Sequence, residues 1–144
     1  MARRVIALLG TPIVLDGQDA RAASEAITPG HLVHLSAGAV AKNADDAANV
    51  APNFALERDE MGKDIDVAYA VGDQVKVGAF HAGQRVNAWI ASGENVTDGD
   101  YLTGDTAGRL TKTGVSATVR LAQAVESVNN SAGPGDARLR VVII

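Results

Sequence analysis

The sequence contains no cysteine, which excludes disulfides, thiolate zinc sites and cysteine nucleophiles outright. Aromatic residues are almost as scarce: Phe54, Tyr69, Phe80, Trp89 and Tyr101 make up 3% of 144 residues. No apolar run approaches the roughly 20 residues that a membrane-spanning helix needs. Residues 5–9 follow Arg3 and Arg4 in the manner of a signal peptide, but Gly10, Thr11 and Pro12 interrupt them before an apolar region is complete. An excess of positive charge is missing too. Thirteen basic against seventeen acidic residues leave a net charge of −4, which argues against affinity drawn from nucleic-acid phosphates. From these absences a soluble chain made in the cytoplasm is expected, with neither nucleic acid nor membrane as partner.

What is present is small and aliphatic. Hydrophobic residues are 47% of the chain, but Ala supplies 26 of them and Val 17. Each such side chain removes little area from water when buried, so a single chain of this size builds a modest core. Burial against other subunits is expected.

Glycine punctuates the chain in a recurrent way. Four segments read as a small turn ending in Gly, a polar residue, one further residue and an aliphatic. They are Pro29-Gly30-His31-Leu32-Val33, Val71-Gly72-Asp73-Gln74-Val75, Ala82-Gly83-Gln84-Arg85-Val86 and Asp98-Gly99-Asp100-Tyr101-Leu102. Gly accepts positive φ without steric cost, so each copy suits a tight turn that launches a strand. Alternation follows: Val75, Val77 and Ala79, then Val86, Ala88 and Ile90, are each separated by a single residue. Short strands at such spacing predict a mainly β fold, a small barrel or sandwich.

Further strands are expected at 31–35, with a hairpin partner at 39–42, and at 54–57. A hairpin with a Gly-rich tip is expected over 101–112, and a last strand over 138–144. Residues 115–128 fit helix and strand periods alike, and their β-branched content favours strand. Residues 43–52 and 129–136 read as loops, and 58–66 as a charged excursion into solvent. Residues 1–26 read as an extended N-terminal arm and linker, leaving 27–144 as the β-rich domain.

Motifs of chemistry are absent. His31 and His34, three apart on a strand, face opposite ways and cannot chelate together. Asp98, Asp100 and Asp105 imitate a calcium loop, but Leu102 and Thr103 stand where an EF-hand needs an oxygen ligand and a glycine. No nucleophile elbow, phosphate loop, dinucleotide fingerprint or zinc-protease motif is present, and no cofactor or enzymatic activity is expected. Two features suggest partner binding. The first is the sticky segment Arg3, Arg4, Val5, Ile6, Leu8 and Leu9, suited to adding a strand to a partner's sheet edge. The second is Trp89, on the strand face opposite Val86, Ala88 and Ile90.

The order of these pieces resembles the small head decoration (cement) proteins of tailed bacteriophages. The residues that carry the resemblance are 27–33 (ITPGHLV), 54–57 (FALE), 69–77 (YAVGDQVKV), 83–90 (GQRVNAWI), 92–102 (SGENVTDGDYL), 105–110 (DTAGRL) and 138–141 (RLRV). The resemblance implies a small β-barrel or β-tulip-like domain that forms a homotrimer. It further implies binding to the major capsid protein at quasi-threefold positions on the outer surface of the expanded head, stabilising the shell against DNA pressure. On that basis Arg3, Arg4, Val5, Ile6, Leu8 and Leu9 are expected to touch the capsid, and Trp89, Leu139, Val141 and Ile143 to form the trimer interface. The rival expectation is a small β-clip module binding a sugar or other ligand, which needs a concave pocket with convergent polar and aromatic groups. A hydrolase would need a carboxylate pair at a defined separation.

Overall fold

The structure, a computed structural model, describes residues 5–16, 21–44, 51–113 and 119–144. It is mainly β, with fifteen short strands and one 3₁₀ turn at Asp59–Met61 among the described residues. The strands are β1 (Ala7–Leu9), β2 (Ile13–Leu15), β3 (Arg21–Ala23), β4 (Val33–Ser36), β5 (Ala39–Lys42), β6 (Asn53–Ala55), β7 (Gln74–Val75) and β8 (Val77–Ala79). They continue with β9 (Arg85–Ile90), β10 (Asn95–Val96), β11 (Tyr101–Gly104), β12 (Leu110–Thr113), β13 (Ala122–Ala124), β14 (Val128–Asn129) and β15 (Ala137–Ile143).

Five of these close a barrel. β9 pairs with β12, β12 with β11, β11 with β13, β13 with β15, and β15 returns to β9. All these pairings are antiparallel except that of β9 with β12, a parallel pairing of Leu110 with Ile90. The final strand lies at the centre of this arrangement rather than at its edge, since β15 is paired on both sides. Alternation sorts its residues: Leu139, Val141 and Ile143 enter the barrel, while Arg138, Arg140 and Val142 face out. Val86, Ala88, Ile90, Leu102, Leu110 and Ala122 complete the barrel interior with them.

A second, smaller core lies beside the barrel. It joins Ala23, Ile27, Val33, Val40, Ala55, Tyr69, Val75 and Val77, drawn from two small sheets ordered β4-β5-β3-β7 and β2-β8-β6 and from the isolated bridge between Ile27 and Tyr69. The hairpin β4–β5 turns through Ala37 and Gly38, whose φ values of 49° and 78° are the left-handed pair that a two-residue hairpin loop requires.

The glycine turns have one shared construction. Gly30, Gly72, Gly83 and Gly99 all have φ between 91° and 98°. In each turn the backbone N–H of the residue after Gly donates to the carbonyl three residues earlier, as in a type II turn. The side chain of that same residue reciprocates. His31 Nδ1 accepts from Thr28 N at 3.0 Å, and Asp73 Oδ2 from Ala70 N at 2.9 Å. Gln84 Oε1 accepts from His81 N at 2.9 Å and Asp100 Oδ2 from Thr97 N at 2.8 Å. Each polar side chain thus closes the turn that its glycine opens. A fifth turn, at Ser92-Gly93, repeats the backbone geometry with Gly93 φ at 92°.

The segment expected as a separate arm is built into this body over its described residues. β1 pairs with β9, β2 with β8, and β3 with both β5 and β7. Ile6 is fully buried in the barrel core and Ala23 in the second core. Short apolar strands leave main-chain groups that water or a neighbouring strand must satisfy, and here the neighbours are strands of the same chain.

Candidate interaction surfaces

The outward side chains of β9 and β15 form one face, because the antiparallel register sets Arg138 opposite Trp89, Arg140 opposite Asn87 and Val142 opposite Arg85. This face divides into two halves with different fates.

The Trp89 half is closed. The Arg138 guanidinium lies 4.0 Å from the Trp89 ring centroid, a cation–π contact. Trp89 Nε1 donates to Pro29 O at 2.9 Å, and Arg138 Nη2 donates to Ile65 O at 2.5 Å. Gly30 sits so close that a Cβ there would lie 2.7 Å from Arg138 Nη1 and 2.9 Å from Asn87 O. His31 packs beside the indole, with ring centroids 6.0 Å apart. Burial holds its pKa down to about 4, with the nearby Lys42 charge adding to the effect. Trp89 is therefore only partly exposed, and its polar edge is satisfied within the chain. It fastens the barrel to the second core.

The other half, around Arg85, is open. A β-bulge in β1, where Ala7 pairs with Val86 but Leu9 with Arg85, brings Leu8 and Leu9 alongside. With Arg85, Arg140 and Val125 they line a hollow of about 160 Å³. Arg140 is held by Glu126, its Nε 2.8 Å from Oε2. Arg85 is exposed and makes no ion pair among the described residues.

The third surface is the outer edge of β2. Its partner among the described residues is β8 alone, through Ile13 with Ala79, Val14 with Gly78 and Leu15 with Val77. Successive side chains of a strand point to opposite faces, yet Ile13 and Val14 are 56% and 43% exposed. The strand therefore shows apolar surface on both faces. Its corner is pinned: Gln84 Nε2 donates to Thr11 O at 2.9 Å, so the β8–β9 turn holds the chain between β1 and β2.

The expected contact residues are distributed unevenly over these surfaces. Arg3 and Arg4 lie outside the described residues. Val5 and Leu9 are exposed, and Leu8 is half-buried at the hollow. Ile6 is an exception, because its side chain fills the barrel core and cannot reach a partner while the fold persists. Leu139, Val141 and Ile143 are corrected for the same reason. As the inward residues of β15 they pack inside one barrel, so their side chains are not an interface. Trp89 is engaged by Pro29 and Arg138 as described. Ile13 and Val14 belong to the apolar stretch 13–15 that the sequence places in the extended arm, but they were not among the expected contact residues.

A shallow groove of about 330 Å³, lined by Arg58, Met61, Lys63, Tyr69 and Gln74, lies over the second core. Its arginine is occupied: Arg58 bridges to Asp16 and Glu60 and donates to Gln74 O at 2.9 Å. Tyr69 is 5% exposed and donates its hydroxyl to Leu56 O, so it offers no aromatic face. The Gly-rich tip of the β11–β12 hairpin folds around its own carboxylate: Asp105 Oδ1 accepts from the N–H groups of Ala107 and Arg109. Among the described residues no three His, Asp or Glu side chains gather as metal ligands, and no helix is long and apolar enough to cross a membrane. No family model matches the chain, and no curated protein matches it.

Proposed function

We propose that this protein is a decoration protein of a tailed-phage head. On this reading it binds the outer surface of the expanded shell as a homotrimer at quasi-threefold positions, with the major capsid protein as its partner. The ordered resemblance over 27–141 and the barrel fold both support the reading. The observation that carries it is the edge of β2 that no strand pairs among the described residues, with Ile13 and Val14 exposed on opposite faces. Soluble proteins usually blunt such an edge with charge, proline or a covering segment, because it offers main-chain pairing to any other strand. A strand of the capsid subunit would pair with this edge, and the flanking aliphatics would be buried as it did so.

The energetics follow from linkage. A protein that binds the expanded shell and not its precursor stabilises the expanded state by RT ln(1 + [L]/Kd) per site, about 3–4 kcal/mol at 100 to 1,000 times Kd. A trimer that engages three capsid subunits gains further from effective concentration. Many threefold sites then sum modest terms into resistance to internal pressure. Virion attachment after synthesis in the host cytoplasm is part of the same reading.

The experiment is co-sedimentation of an Ile13→Lys/Val14→Lys variant with expanded heads. Both positions are exposed, so the lysines are expected to leave the domain folded and to remove the binding that the reading expects of the parent protein. Undiminished binding by the lysine variant would place the shell contact elsewhere. The rival ligand-binding module would have to use the shallow groove over the second core, and saturable sugar binding lost on Lys63→Ala would establish that alternative.

A further inference from the structure

Residues 28–32 form a strap between the two cores. Ile27 and Val33 pack in the second core, and Leu32 between them packs in the barrel core. On the second-core side Gly30 N donates to Ala55 O at 2.8 Å, and Ala55 N donates to His31 O at 3.0 Å. On the barrel side Leu32 N donates to Gly108 O at 2.8 Å, in the β11–β12 connection, and Pro29 O accepts from Trp89 Nε1. The same short run of chain therefore carries hydrogen bonds to both parts of the molecule.

His31 holds the strap in shape. Its Nδ1 accepts from Thr28 N, so the neutral ring carries its proton on Nε2. A proton added at Nδ1 removes that acceptor and turns two N–H groups towards each other. The ring lies beside the Trp89 indole, on which the Arg138 guanidinium also rests. The charges that act on it are Lys42 from β5, Arg109 from the start of β12 and Arg138 from β15, with Asp136 opposing them. The carboxylates nearby are already committed: Glu25 to Lys42, Asp105 and Asp136 to Arg109, and Asp66 to Arg138. A charged ring would thus stand buried among three cations with its turn bond lost.

We propose that His31 is an acid-sensitive latch, whose protonation lifts residues 28–32 off Trp89 and undocks the second core while the barrel ladder persists. The charged ring moves into water, and Trp89 Nε1 and Pro29 O part. The barrel has no such trigger, because its five strands contain no histidine. Burial keeps the latched ring neutral down to about pH 4, whereas a released ring titrates near the ordinary 6.5. The preference for the latched form is therefore complete above about pH 6.5 and falls as pH drops towards 4. The latch stands independently of the shell reading.

The test is hydrogen exchange of the full chain, followed by NMR at pH 7 and pH 4, with each rate taken relative to its intrinsic value. The one tryptophan gives one indole N–H signal. Protection of Trp89 Nε1–H and of the Gly30 and Leu32 amides is expected to fall about a hundredfold between the two pH values. The paired amides of β9 and β15 are expected to stay about tenfold or more better protected than the strap at pH 4. His31→Gln keeps an acceptor for Thr28 N but takes up no proton, and is expected to abolish the acceleration. Lys42→Gln removes one opposing cation and is expected to shrink it, which gives a reading even where the His31 variant fails to fold. Equal protection of strap and barrel at pH 4 would mean one global opening and overturns the proposal. So does a parent protein whose strap is not accelerated, the same acceleration in His31→Gln, or an undiminished one in Lys42→Gln.

Discussion

Arg138 and Trp89 face each other across β15 and β9, the guanidinium 4.0 Å from the indole centroid, and Trp89 is tied through Pro29 to a segment whose Gly30 N–H donates to Ala55 O of the second core. Residues 29–31 close over them from the second-core side, and the Arg138 guanidinium reaches on to Ile65 O. The consequence is mechanical. Neither core can loosen without disturbing the one tryptophan of the chain.

Unfolding should therefore be a single cooperative event. Trp89 fluorescence and far-UV circular dichroism, followed through a urea titration, are expected to give coincident midpoints. Trp89→Phe removes the hydrogen bond to Pro29 O and weakens the cation–π contact, lowering stability by about 1–3 kcal/mol. A fluorescence transition well ahead of the dichroism would separate the two cores.

Glycine substitutions should rank by what surrounds them. Gly30, Gly83 and Gly99 share positive φ, so alanine strains each backbone by about 1–2 kcal/mol. Only at Gly30 would the added Cβ also strike the Arg138 guanidinium and Asn87 O, at 2.7 and 2.9 Å, whereas Gly83 and Gly99 face open space. Gly30→Ala is expected to cost about 1–3 kcal/mol more than either of the others, on the order of overpacking a filled core. Thermal melts of the three variants check the ranking.

His31 makes stability fall in mild acid. Its folded pKa of about 4 lies below the ordinary 6.5, because burial opposes the charged ring, with Lys42, Arg138 and Arg109 acting the same way against Asp136. Above about pH 6.5 both states hold it neutral. As pH falls towards 4 the unfolded chain takes up a proton that the folded chain does not, so stability is lost across that window. The loss between pH 7 and pH 5 is about 2 kcal/mol. His31→Gln keeps a side-chain acceptor for Thr28 N, as Gln84 does for His81 N in the corresponding turn. It is expected to remove that part of the pH dependence, measured as the difference in urea midpoints between the two proteins.

Much of the fold was legible because local chemistry dictated it. The four glycine turns, the hairpins over 33–42 and 101–113 and the strand character of 137–143 all follow from turn residues and period-two patterning. The Gly93 turn escaped the same pattern although it obeys it, with Glu94 and Asn95 leading to Val96. What local signals could not supply was long-range pairing. Nothing near Leu110 announces a parallel contact with Ile90, and nothing in residues 5–9 says that Ile6 enters a barrel closed by residues 85–143. The interface expectation at Leu139, Val141 and Ile143 failed on a cue that was present. Arg138 and Arg140 alternate with Leu139 and Val141, and alternation marks the apolar set as inward.

The corner between β1 and β2 offers a link between stability and the proposed shell contact. Gln84 serves two masters there, accepting from His81 N and donating to Thr11 O. Gln84→Ala is expected to cost about 1–2 kcal/mol and to speed amide hydrogen exchange in β2 more than in β9. Binding to heads should weaken with it, because the edge that carries Ile13 and Val14 loses its anchor.

The proposed decoration role is tested most directly by counting copies of the purified protein that co-sediment with expanded heads and with precursor heads of the phage that the proposal implies. The account predicts saturable binding to expanded heads alone, at three copies per occupied threefold site. Absence of binding to either shell, or equal binding to both, would contradict it.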